Sequence, residues 1–300
     1  MILMMMLRET GVWGYSLVAC LPMGLAVAVV VGGALIAGTR VPPVLATAAL
    51  AIPGALAILA SGCGITMALD GMARAAPEQK QALLAMGISQ VMFSHVLPAL
   101  VIVLPAALLL LLAAIAGAVR GPRRMGAPIV AGLLTLVLVA VPVVQGVLVG
   151  DLVPGLIRGG LYLVPGLLVA VALLGASRET SGPTAGATAA LALPILIGTV
   201  EVATRAMWQI RSFEAVAHAA ADSKSDLLLG SLAVLDRALP LTWVALLAAS
   251  LVAVVGVMGS LEKDTHNGGV LLALAGLFVA PMLLWSEVDW LFTMLATQFG

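Results

Sequence analysis

Charge is scarce in this chain. Its 300 residues include 14 Lys and Arg and 14 Asp and Glu, 9% in all, whereas a water-soluble domain gives about a quarter of its residues to charge. The shortage excludes a solvated globular surface, and the balance of signs excludes the basic face that nucleic acid needs. Cysteine is nearly missing: Cys20 and Cys63 both stand in apolar runs. No disulfide framework is expected from them, and both read as small buried hydrophobes. The sequence holds no HExxH, Walker A or GxSxG pattern and no Cys/His cluster with ligand spacing, so it points away from an enzyme, a metal site and a cofactor.

What is abundant is apolar surface. Hydrophobic residues make up 62% of the chain and mean hydropathy is +1.19. Only lipid takes up so much apolar area without penalty, and one bilayer crossing uses roughly 20 such residues. Apolar runs bounded by charge, Gly or Pro lie at 15–38, 42–69, 82–117, 128–150, 159–176, 187–210, 227–257 and 269–298. Continuous Leu- and Ala-rich runs predict helices; a membrane β-barrel would show short alternating segments. The expected fold is all-α: a polytopic transmembrane helical protein of about eight helices. Arg8 and Glu9 follow the apolar start MILMMML, and the next run is of span length, so the N-terminus reads as a retained first helix and not a signal peptide. The run 82–117 exceeds what a bilayer requires, which predicts tilt, a kink at Pro98 or Pro105, or projection beyond the membrane.

Shifted by 144 residues, the pattern returns: MARAAPEQKQALL (72–84) lies against VAHAAADSKSDLL (216–228), with Lys80 on Lys224 and Glu78 on Asp222. This predicts a tandem duplication, with a first four-helix membrane unit at 1–150 and a second at 151–300, as parallel repeats. Lysine and arginine in the connections are evenly divided between the two sides. The cluster Arg120, Arg123 and Arg124 argues that its loop is cytoplasmic and both termini outside.

Charges inside spans mark candidate function. Glu201 and Arg205 stand one helical turn apart in the sixth run, and Asp236 and Arg237 in the seventh. Glu201 and Arg237 each lie about ten residues from the connecting loop, hence ~15 Å deep, so the two can pair across the hairpin, with Asp236 and Arg205 close enough in level to join them. The simplest role for the four is a self-neutralising structural cluster, the other an ion or proton pathway. His95, close to Pro98, is a possible proton relay or a side chain bonded to a carbonyl. Glu287 and Asp289 flank the membrane surface beside Trp285 and Trp290, which read as interfacial anchors.

From GTV (198–200) through SDLLLGSLAVLDRALP (225–240) the chain resembles the MotA/TolQ/ExbB proton-channel family. There a GTV motif lies in the second core helix, and a Glu-Ala-Leu-Leu-Ala-Thr-Ala-like motif followed by Ala-Ile-Pro opens the third. Thr199 falls on the GTV threonine, Asp226 on the glutamate and Ser231 on the second threonine. QALLAMGISQ (81–90) and the opening ETGVWGYSLVACLPMGLAVAV are similar to further pieces. The resemblance implies a bacterial inner-membrane oligomer around a single-span partner of the ExbD/MotB kind whose helix carries an aspartate. In it Thr199, Ser231 and Asp226 would line a proton path near Glu201 and Arg237. Two further readings stand beside it: a secondary transporter of two parallel repeats with its site at the charged hairpin, and a structural membrane component whose charges only pack.

Overall fold

The computed structural model describes residues 2–39, 76–119, 126–174, 182–219 and 223–260, with scattered positions between 41 and 74. Six long helices account for nearly all of it: α1 (Ile2–Ala37), α2 (Pro77–Val119), α3 (Gly126–Val149), α4 (Leu152–Leu174), α5 (Gly182–His218) and α6 (Lys224–Ser260). Each contains a stretch long and apolar enough to cross a membrane, and no strand occurs among the described residues. The chain is a multi-pass helical membrane protein. Most of the run at 42–69, and all of 269–298 with Glu287 and Asp289, lies outside the described residues.

Several boundaries differ from the sequence expectation. α4 starts at Leu152 rather than near 159, which draws Arg158 out of a connection and into a span. The stretch 211–226 was expected as a loop, but α5 runs through it to His218 and α6 resumes at Lys224. α2 is continuous through Pro98 and Pro105. Its 43 residues extend about 65 Å, twice the ~30 Å hydrocarbon core. The apolar stretch of span character begins only at His95, so the helix is longer than the span it contains and is not broken at either proline. Cys20 is buried as expected, but Cys63 is exposed.

α5 is the centre of the bundle. It packs against α2, α4 and α6; α1 lies along α2, and α3 against α4 and α6. Helices from the two expected units therefore interleave: α2 with α5, and α3 with both α4 and α6. The 144-residue shift superposes α1 on α4 and α2 on α6, yet α1 packs along α2 whereas α4 barely touches α6. Among the described helices, the contacts of α1 with α2 thus have no counterpart between α4 and α6.

The α3–α4 hairpin has a local cause. Gly150 adopts φ +77, and the amides of Gly150 and Asp151 close back on the carbonyls of Val147 and Gly146. This is the left-handed helix ending that glycine adopts without a Cβ clash. Beyond the turn the helices touch backbone to backbone: a Cβ on Gly155 would lie 2.5 Å from the Pro142 carbonyl oxygen. Small residues at such a crossing let dispersion act where lipid offers no hydrophobic drive between helices.

Candidate functional site

The close hairpin fixes which side chains of α3 and α4 face inward. On α4 the buried positions are Gly155, Arg158, Gly159, Tyr162, Pro165, Gly166, Val169, Ala172 and Leu173, one stripe at helical spacing. Arg158 and Tyr162 are one turn apart on it. On α3 the inward stripe ends in Gln145 and Gly146. Both stripes meet α5 at Glu201, which is 2% exposed.

Every donor around Glu201 comes from a different helix or turn. The Tyr162 hydroxyl donates to Oε1 at 2.7 Å and the Thr242 hydroxyl of α6 donates to Oε2 at 2.9 Å. The Gln145 amide nitrogen reaches Oε2 at 3.3 Å and the Thr242 oxygen at 2.9 Å. Arg158 donates to the Gln145 amide oxygen at 3.1 Å and approaches Glu201 at 3.7 Å. The pattern is self-consistent: Gln145 turns its carbonyl to the cation and its NH2 to the anion, and Thr242 accepts from Gln145 while donating to Glu201.

Magnitudes assign the roles. At 3.7 Å the Arg158–Glu201 attraction is worth ~4 kcal/mol at an effective dielectric of 20. Dehydrating two ions costs several kcal/mol each, so the ion pair alone does not hold a carboxylate here. The neutral donors close the gap, since a hydrogen bond to a charged group contributes about 1.5–3 kcal/mol. Arg158 is further balanced by Trp208 of α5, whose ring centroid lies 5.3 Å from the guanidinium carbon, a favourable cation–π distance.

Trp208 also lines a groove of about 440 Å³ that opens at the end of the bundle, together with Asp151, Arg211, Ser212, Asp226 and Ser231. Arg211 pairs loosely with Asp151 at 3.6 Å across its rim. A seam of contacts therefore runs from the charged rim through the Trp208 ring and Arg158 to Glu201 in the bundle interior.

The residues singled out from sequence fall on this seam unevenly. Glu201 is its inner end, and Arg205 is buried one turn further along α5. Asp226 and Ser231 share the groove, although the Ser231 hydroxyl donates to its own helix at Leu227. Thr199 likewise donates to the Ile195 carbonyl at 2.6 Å. His95 is buried on α2. The expected Glu201–Arg237 pair does not form: Arg237 is exposed, and the carboxylate is occupied from α3, α4 and α6. The reason is azimuthal, since equal depth on two helices does not make two side chains face each other. The side chain of Asp236 lies outside the described residues. Gln145, Arg158, Tyr162, Trp208 and Thr242 were missed. Their one signal was a polar residue inside or beside an apolar run, and for Arg158 a wrong helix start hid it.

No three His, Cys, Asp or Glu among the described residues converge as metal ligands. Comparisons with protein-family models, with curated proteins and with solved structures find no match.

Proposed function

We propose that this protein moves protons or a small cation across the membrane, with Glu201 as the intramembrane exchange group and the Asp151–Arg211–Asp226 groove as its aqueous mouth. One observation carries the reading: Trp208 lines the groove and stacks on Arg158, which bonds Gln145 and approaches Glu201, so a line of contacts runs from the surface groove to the buried carboxylate with the Trp208 ring between groove and cation. A carboxylate held at mid-span by side chains of three other helices is the kind of group that membranes otherwise exclude.

Coupling of this flux to a single-span partner, in the manner of the MotA/TolQ/ExbB family and in a bacterial inner membrane, is the finer form of the proposal. The chain would assemble as an oligomer round that partner. Asp226 and Ser231 then stand at the mouth, and Thr199 lies two residues from the exchange group. A duplicated origin for the two halves is compatible with this but not required. Arg158 belongs to a span and leaves the loop tally, which then favours a cytoplasmic loop at Arg120, Arg123 and Arg124.

The test is proton uptake by liposomes holding the purified chain, alone and with a co-expressed partner, under an imposed potential. Glu201→Gln keeps the size and most hydrogen-bonding of the side chain, and it should lower uptake about 100-fold, the scale of a lost proton-transfer group. Uptake undiminished in that variant, or none in the wild-type protein, sinks the reading. The secondary-transporter reading draws on the rim groove, whose charges of both signs suit a zwitterionic solute; it requires solute-dependent uptake instead.

A further inference from the structure

A second cleft, of about 490 Å³, lies between α2, α4 and α5. Its walls include Ala99 and Leu104 of α2, Arg158 and Leu161 of α4, and Ala203 and Met207 of α5. The volume falls within the range of small-ligand sites, about 300–1,000 Å³. Leu104 and Leu161 are exposed, so the cleft opens on the outer, lipid-facing side of the bundle. Among the described residues of its lining, Arg158 alone is charged.

Arg158 is 7% exposed, and its Nε has no hydrogen-bond partner. Its charge is nevertheless met. Nη1 donates to Gln145 and approaches Glu201, and the Trp208 ring covers the guanidinium. What remains is one N–H donor, which costs its hydration if left unpaired. A second anion brought here would face the Glu201 carboxylate at like sign. The complement of this cleft is therefore an apolar chain that ends in a neutral acceptor.

Depth narrows the choice. Arg158 stands seven residues after Asp151 of the charged rim, about 10 Å along α4. The headgroup layer is about 5–8 Å thick on each side of the hydrocarbon core. With Asp151 among the headgroups, Arg158 lies just inside the hydrocarbon boundary, the level at which glycerolipid ester carbonyls join their acyl chains.

We propose that the cleft holds one acyl chain of a membrane glycerophospholipid, whose ester carbonyl accepts a hydrogen bond from Nε of Arg158. Arg158 already lines the cleft, so rotation of its flexible stem presents Nε there. The lipid then completes Arg158 from outside the bundle while Gln145 and Glu201 hold it from within. This site does not depend on the proton-transport reading.

Photo-crosslinking tests it with the full chain in phosphatidylcholine vesicles. The probe is a phosphatidylcholine with a diazirine in one chain, made once with ester and once with ether linkages; the ether form keeps the shape and loses the carbonyls. The ester probe should label Leu104, Leu161 and Met207 above Leu133 and Leu136 on the outer face of α3. At the cleft the ether probe should label at least about tenfold less, the factor to which one hydrogen bond to a charged donor corresponds. Ala99→Trp, which fills the cleft from α2, should abolish cleft labelling and leave that of α3 as the internal standard. Even labelling of cleft and α3, or cleft labelling that persists in Ala99→Trp, overturns the site. Equal labelling by the two probes overturns the bond to Arg158. Displacement of the ester probe by free palmitate shows that the cleft selects an anion and overturns the ester assignment.

Discussion

α5 and α3 are opposite solutions to the same solvent. α5 is the least apolar of the six candidate spans and the most enclosed: 89% of its stretch is buried within the bundle, against 33% for α3. In water the order would be reversed, with the more apolar helix inside. In lipid an apolar face needs no cover, whereas polar groups must find partners in protein. α3 therefore turns Leu133, Leu136, Val144 and Val147 outward and gives the interior only its Gln145 stripe. α5 brings Glu201, Arg205 and Gln209 to the centre, where the Glu201 carboxylate meets donors from three other helices. Polarity, not hydrophobicity, decides which helix lies in the middle.

That contrast can be broken by mutation, and the largest effect should fall on α5. Glu201→Leu removes the carboxylate and strands the Arg158 charge together with the Tyr162 and Thr242 hydroxyls. Thermal unfolding in detergent should report a loss of about 3–5 kcal/mol, the cost of orphaning one partner of a buried pair. A gain in stability would instead show that dehydrating the pair costs more than its contacts return. The α3–α4 crossing comes next. Gly155→Ala places a methyl against the Pro142 carbonyl, and separating two backbones that touch should cost about 1–3 kcal/mol. Since Gln145 and Arg158 flank that crossing, proton uptake should fall with it. An unaffected uptake would detach the hairpin geometry from the Glu201 network. The smallest effect belongs to the outer face of α3, where Leu136→Ala should change stability by no more than about 0.5 kcal/mol, since lipid fills the space a core would leave empty. A loss as large as that of Gly155→Ala would place Leu136 in an interface and not in lipid.

The comparison also separates what was legible beforehand from what was not. Glu201, Arg205 and Asp226 could be picked out because charge stands out in an apolar run, whatever surrounds it. Tyr162 and Thr242 could not, because neither residue type is remarkable within a span until a carboxylate lies beside it. Gln145 was hidden by distance: 56 residues separate it from Glu201, and nothing local ties them. Arg158 was lost to a boundary. The apolar pattern weakens at VPGLIRGG (153–160), whereas the helix starts before it because the turn at Gly150 has already set its direction.

The amino-acid sequence by itself determined that this chain lives in lipid as long helices, because with 9% charge no arrangement of its side chains could face water. It also determined that a carboxylate lies deep within a span, because depth follows from rise per residue along one helix. Only the tertiary structure decided what that carboxylate meets. Depth is a one-dimensional quantity, but partnership depends on rotation about each axis and on which helices are neighbours. Those were set by the Gly150 turn and the Gly155 crossing, which carried Arg158 and Tyr162 to Glu201 and left Arg237 exposed.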